Sequence, residues 1–177
     1  MAVREVLQLG NPVLREVCAP VEDPSLPKVA AVVADLQDTL AHCRATTGYG
    51  RGIAAPQIGV LRRIVFLNVD KPWPLINPGI VEHSDDTTVV WDGCLSFLCV
   101  FLQVPRYSWI KVRYQDLSGE WHNIKAEDDL SELLQHEIDH LNGILALDRM
   151  TDIKTMCTRQ EFERRYRRQS PYEPATT

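Results

Sequence analysis

The chain has 177 residues, 45% of them hydrophobic and 7% aromatic, with a formal net charge of −5. That length and apolar content belong to one globular domain, which excludes a disordered or fibrous chain and is large enough to fold without disulfide staples. The five cysteines, Cys18, Cys43, Cys94, Cys99 and Cys157, are odd in number and irregularly spaced, which argues against a secreted disulfide framework and for a reducing compartment.

In chain order, Val6 to Pro12 reads as a short extended stretch broken by Gly10 and Pro12. Apolar side chains at Val29, Val33, Leu36, Leu40 and Cys43 make one stripe, so the spacing predicts a helix from about Leu26 to Cys43. Pro27 suits its first turn, where a missing N–H costs nothing. A Gly-rich loop follows at Gly48-Tyr49-Gly50-Arg51-Gly52. Strands are predicted at Arg63–Val69, Leu75–Val81, Thr87–Trp91, Val100–Val104 and Trp109–Tyr114, with Asn77-Pro78-Gly79 marking a turn or bulge in the second. Asp116 to Gly119 reads as a hairpin turn before a strand at Glu120–Lys125. The chain turns helical after Asp128-Asp129, with Asp129 and Glu132 spaced as a cap. Leu130, Leu133, Leu134, Ile138 and Leu141 form the buried face, and Asn142-Gly143 ends the helix. A last helix is predicted from about Asp152 to Gln169. The order helix, strands, helix, helix is that of an α+β domain, assigned to residues 1–170, with a disordered tail over 171–177.

No apolar run approaches the roughly 18–20 residues that span a bilayer. The longest, Cys94 to Leu102, holds a serine. Nor does the start of the chain carry a signal-peptide pattern, so a cytoplasmic protein is expected, or alternatively the mature chain of an organellar one. Charge is uneven. From Arg149 to Arg168 there are seven basic and three acidic residues, a balance of +4 that leaves −9 on the remainder. A basic end on an acidic body suits an anionic partner, or is simply a solvated helix face.

The stretch that carries chemistry is His136-Glu137-Ile138-Asp139-His140. Histidines four apart on a helix project the same way, one turn apart, so both rings can reach one metal ion. A glutamate directly after the first histidine stands beside that ion, free to handle protons. A catalytic site of this kind needs a third protein ligand and an open position. A histidine six residues after His140 is ruled out, because Ala146 stands there. Glu161 or Glu163 downstream and Cys94 upstream both remain open, the first pair giving a zinc endopeptidase. Thiolate ligation suits Fe²⁺ or Zn²⁺ equally on softness grounds.

Three segments together resemble the motifs of the peptide deformylase family. Gly50-Arg51-Gly52-Ile53-Ala54-Ala55-Pro56-Gln57-Ile58-Gly59 is similar to its G-x-G-φ-A-A-P-Q-φ-G, where φ is apolar. Asp92-Gly93-Cys94-Leu95-Ser96 resembles E-G-C-L-S, and Gln135 to Gly143 resembles Q-H-E-x-D-H-L-x-G. They occur in the family's order, and the likeness spans roughly residues 5 to 150. The resemblance implies mixed and antiparallel sheets around a central HExxH helix, with a C-terminal helix as in the type 1 branch. It implies one divalent metal ion, iron(II) natively with zinc, nickel or cobalt as substitutes, held by Cys94, His136 and His140. It makes Glu137 the general acid and base, and Gln57 with the Leu95 N–H the oxyanion donors. Gly50, Gly52 and Ile53 would line the substrate, an N-formylmethionyl peptide. Removal of the formyl group from new polypeptides, releasing formate, is the activity implied. The alternative within the family likeness is an inactive relative that only binds a partner, such as the ribosome through the basic C-terminal helix. A monomer or a homodimer is expected.

The sequence departs from the family pattern twice. Asp92 replaces the usual glutamate, and an Asp92–Arg106 pair is expected to support the metal loop. After Ser96 the chain reads Phe97-Leu98-Cys99-Val100-Phe101-Leu102, without the family's proline and polar residues. That run predicts either a greasier substrate cleft or packing against another part of the chain.

Overall fold

The computed structural model describes residues 2–167. Helix α1 spans Pro27–Thr47, one turn longer than its apolar stripe predicts, and ends where Gly48 takes a left-handed conformation at φ 77°. Its buried face, Val29, Val33, Leu36 and Leu40, packs on Ile53, Ile64, Phe66 and Ile76 of the adjoining sheet. That sheet contains β1 (Gly52–Ala54), β2 (Ile64–Asn68), β3 (Pro72–His83), β6 (Trp109–Gln115) and β7 (Trp121–Glu127), in that spatial order. Strands β4 (Thr87–Asp92), β5 (Val100–Tyr107) and β8 (Cys157–Thr158) form a second sheet. All ladders are antiparallel. The parallel pairing among the described residues is an isolated bridge, Ala19 to Arg62.

Asn77-Pro78-Gly79 does not end β3 but puts a bulge in it, visible as a register shift between Ile76 and Gly79. Asn77 adopts φ 52°, and its side chain bonds the backbone of Val21 and the amide of Gln115. These bonds offset the strain of a left-handed non-glycine residue.

Helix α2 (Asp128–Leu141) lies against the first sheet, burying Leu133, Leu134, Ile138 and Leu141 on Val65, Leu75, Ile110 and Val112. The predicted cap at Asp129 is not formed. The N-cap is Glu127, without a side-chain cap bond, and Glu132 instead pairs with Arg51. Gly143 closes the helix at φ 70°, with Arg15 carbonyl oxygen where a Cβ would stand.

The C-terminal prediction needs correction. A 3-10 turn at Ile153–Thr155 and strand β8 occupy the start of the predicted helix, and α4 covers Arg159–Arg165 alone. The edge of β5 offers backbone groups that Cys157 and Thr158 satisfy by pairing with Phe101 and Val100, which a helix could not do. Gln169 and the tail over 171–177 lie outside the described residues. The short helix α3 (Ala146–Arg149) follows α2.

Candidate metal centre

Helix α2 presents His136 and His140 one turn apart, with their Nε2 atoms 3.2 Å from each other. Cys94 approaches from the turn after β4, where Phe97 N–H bonds its carbonyl, and its Sγ lies 3.2 Å from His140 Nε2. All three residues are buried, and the three donor atoms lie within 4.8 Å of one another. Glu161 and Glu163 are engaged elsewhere, with Arg165 and with Arg159 and Tyr49. A thiolate with two imidazoles is a donor set that suits zinc or iron(II), and three protein donors leave a position open for chemistry. The His140 Nδ1 has no protein partner among the described residues.

Behind the donors stands an ion cluster. His136 Nδ1 is 2.9 Å from Asp92 Oδ1, so a carboxylate orients the ring whose other nitrogen faces the site. Arg106 Nη2 lies 2.9 Å from Asp92 Oδ2, and Arg106 Nη1 lies 2.6 Å from Asp139 Oδ2. Arg149 closes on Asp139 from the surface side at 2.6 Å. Burial opposes a charge on Asp92, but His136 and Arg106 outweigh it and hold the carboxyl well below the usual range. Burial likewise opposes a proton on His136, and Asp92 holds it there. Burial, with the neighbouring His136, pushes His140 well below the ordinary imidazole range, which keeps it neutral.

Glu137 is fully surrounded, and burial raises its carboxyl from 4.5 to about 7. Its Oε2 has no protein partner among the described residues. A Cβ on Gly52 would stand 2.6 Å from Glu137 Oε1 and 2.7 Å from Leu67, so glycine is required for the loop to lie this close. Gln57 is anchored by Ala54 N–H donating to its Oε1 at 2.8 Å, which turns Nε2 toward Cys94 Sγ at 3.5 Å and Ser96 Oγ at 3.2 Å. Gly50, Gly52, Gln57, Cys94, Leu95 and Glu137 share the wall of one cavity. Ile53 does not line it with its side chain, which is fully buried against α1 because β1 alternates its faces.

Residues 3–156 match the sequence profile of the family described as Polypeptide deformylase. The chain belongs to this family. It is 37% identical over 183 residues to the peptide deformylase of Bartonella tribocorum, covering 98% of both chains. The crystal structure of peptide deformylase from Thermotoga maritima superposes with a TM-score of 0.80 at 33% identity, covering 86% of this chain and all of that one. A class I type b peptide deformylase from Acinetobacter baumannii, solved with Met-Ala-Ser bound, superposes with a TM-score of 0.77 at 28% identity, over 84% of this chain and all of that one. The α+β architecture is that of the peptide deformylase fold, and the chain is accordingly an enzyme of that family. Among the described residues no helix is long and apolar enough to cross a membrane.

The apolar run after Ser96 packs within the chain. Phe97, Phe101 and Leu102 are buried, and Phe101 stacks on Phe162 of α4 with ring centroids 4.0 Å apart and planes 1° from parallel. Phe162 also packs on Trp91 at 5.5 Å. Leu98 alone of the three large apolar side chains Phe97, Leu98 and Phe101 reaches the cavity. Asp139 and Arg149, which complete the ion cluster, escaped the site reading. Asp139 stood inside the His136–His140 motif, whereas nothing local marked Arg149.

Proposed function

We propose that this enzyme removes the formyl group from N-formylmethionyl peptides in the cytoplasm, releasing formate, with one divalent ion held by Cys94, His136 and His140. The observation that carries the reading is the convergence of the Cys94 thiol and two imidazoles beside a buried carboxyl. The Met-Ala-Ser bound by the Acinetobacter relative has the sequence left after such a reaction, which supports the same substrate class here. When bound, the ion, iron(II) by family likeness, supplies Lewis acidity that makes a water nucleophilic near neutral pH.

The chain's own groups do the rest. Glu137 takes the proton of the water that adds to the formyl carbon, and later delivers it to the departing amine as the carbon–nitrogen bond breaks. Its raised pKa of about 7 suits both directions of transfer. Gln57 Nε2 and the Leu95 N–H donate to the formyl oxygen as it gains charge, each such donor being worth about 2.7–4 kcal/mol. Gly50 and Gly52, with the backbone of Ile53, bring main chain alongside the peptide. Asp92 and Arg106 hold His136 in place.

Formate release from formyl-Met-Ala-Ser by the metal-loaded enzyme tests the reaction. Glu137→Gln is expected to lower turnover about 10²–10⁴-fold with metal retained. Cys94→Ala is expected to lose the metal; full metal content in that variant would overturn the ligand set. Arg164 and Arg165, exposed on α4 although paired with Glu161, would let the basic end meet the ribosome. Salt-sensitive cosedimentation lost on truncation before Arg164 supports that contact, and unchanged cosedimentation rejects it.

A further inference from the structure

The loop that links α1 to β1 forms one wall of the cavity, with Tyr49, Gly50, Arg51 and Gly52 on it. Its far end is fixed by main chain. Gly52 pairs with Leu67 in the β1–β2 ladder, and Asn68 N–H donates to the Arg51 carbonyl at 2.8 Å. Arg51 lies between two glycines, whose backbone freedom makes such a loop costly to order unless side chains hold it. Tyr49 Oη donates to Glu163 Oε1 of α4 at 3.1 Å, and Arg51 Nη2 donates to Glu132 Oε2 of α2 at 2.7 Å. The Glu132 side chain is 2% exposed and that of Arg51 18%, so this pair is better shielded from water than a surface ion pair. Glu132 stands one helical turn before His136. The pair therefore ties the cavity loop to the helix that carries the acid–base carboxyl and both imidazoles.

The packing where loop and helix meet leaves little slack, since a Cβ on Gly52 would stand 2.6 Å from Glu137 Oε1. The loop's main chain thus lies directly against the carboxyl that handles protons. Strand β1, which continues the loop, is the edge of the first sheet. An edge strand offers backbone groups with which an extended peptide can pair, whatever its side chains. Such pairing needs the loop held in one place before the peptide arrives. We propose that Arg51 and Glu132 are positioning residues: their ion pair fixes the Gly50–Gly52 main chain against α2, where it can hold the backbone of the peptide beyond its first residue. The preference for methionine is left as it is. The inference rests on the deformylase reading and concerns how the enzyme grips the rest of the same substrate.

Two substrates with the same first residue test this on the metal-loaded enzyme: formyl-Met-Ala-Ser, which has main chain to pair, and formyl-methionine amide, which has almost none. The wild type is expected to favour the tripeptide in kcat/KM. The double variant Arg51→Gln, Glu132→Gln removes both charges together. It is expected to lose about tenfold on the tripeptide, mainly through KM, and less than about threefold on the amide. Arg51→Lys keeps a cation facing Glu132 and is expected to retain most of the tripeptide rate. A role confined to stability would lower both substrates alike or neither. Should the double variant fail to fold, Arg51→Met with Glu132→Gln serves in its place. A wild type indifferent to the tripeptide, or a variant that keeps the wild-type ratio of the two substrates, overturns the inference alone. No formate from either substrate with the wild type sinks the deformylase reading instead.

Discussion

Replacing Arg106 by methionine removes the cation that joins Asp92 to Asp139 while leaving much of its volume filled. Arg106 is 3% exposed and reaches the two carboxylates at 2.9 and 2.6 Å. Removing one partner of a buried ion pair costs about 3–5 kcal/mol, because the other charge is left in a low-dielectric interior. The two carboxylates are not equally stranded. Asp139 keeps Arg149, at 2.6 and 3.1 Å, whose outer side admits water. Among the described residues, Asp92 keeps the His136 ring. The loss therefore belongs at the lower end, about 3 kcal/mol, a large share of the roughly 5–15 kcal/mol that holds a domain folded. Urea unfolding of the metal-free chain, followed by tryptophan fluorescence, measures it. Because Asp92 orients a ring whose other nitrogen faces the metal position, metal affinity is expected to fall about 10–100-fold in chelator competition. Adding Asp92→Asn is expected to restore part of the stability but not the metal affinity, since it discharges the stranded carboxylate without orienting His136. A loss under about 1 kcal/mol with unchanged metal affinity would refute the argument that this cluster holds the site.

Three further perturbations test other parts of the reasoning. Phe162→Ala removes a fully buried ring from the stack on Phe101, and is expected to cost about 3–5 kcal/mol in the packing of α4, seen as faster hydrogen exchange at β8 and α4; protection equal to wild type would contradict it. Gly52→Ala places a Cβ against Glu137 and Leu67, so turnover is expected to fall at least tenfold with the metal retained, a drop of about 1.4 kcal/mol in transition-state stabilisation or more. Asp35 accepts from Arg4 Nε at 2.8 Å and from Ala2 N–H at 2.9 Å, and its pKa is lowered chiefly by the Arg4 hydrogen bond. A depressed carboxyl stabilises fully above its unfolded value of about 3.9 and loses that contribution as pH falls through the folded value. The N-terminal segment is therefore expected to loosen in acid, measured by exchange at Arg4 N–H, and Asp35→Asn is expected to abolish that pH dependence.

The departure after Ser96 shows how a specificity argument and a packing argument can share residues. The run reads as a greasier cleft in isolation, but most of it faces the C-terminal segment. Phe101 even occupies the place where a Cβ on Gly93 would stand, so the aromatic stack bears directly on the loop that carries Cys94. Of the run, Leu98 reaches the cavity wall, where Arg51 also stands with Glu132 paired to it.

Local periodicity was sufficient for α1, for the alternating strands and for the helix bearing both histidines, because each of those patterns is written within a few turns or pleats. The pairing of His136 with His140, and the carboxyl between them, follow from helix geometry alone. The motif likeness extended that reading to Cys94, Gln57 and Arg106. Tertiary structure decided everything that depends on strands and helices far apart in the chain meeting. It set the thiol of Cys94 rather than Glu161 or Glu163 beside the rings, and joined Arg149 to Asp139. It also drew Cys157 and Thr158 onto the edge of β5 in place of a longer helix. In each case the partner is chosen by burial and by unsatisfied polar groups on another element, and no spacing along the chain encodes where such an element will stand.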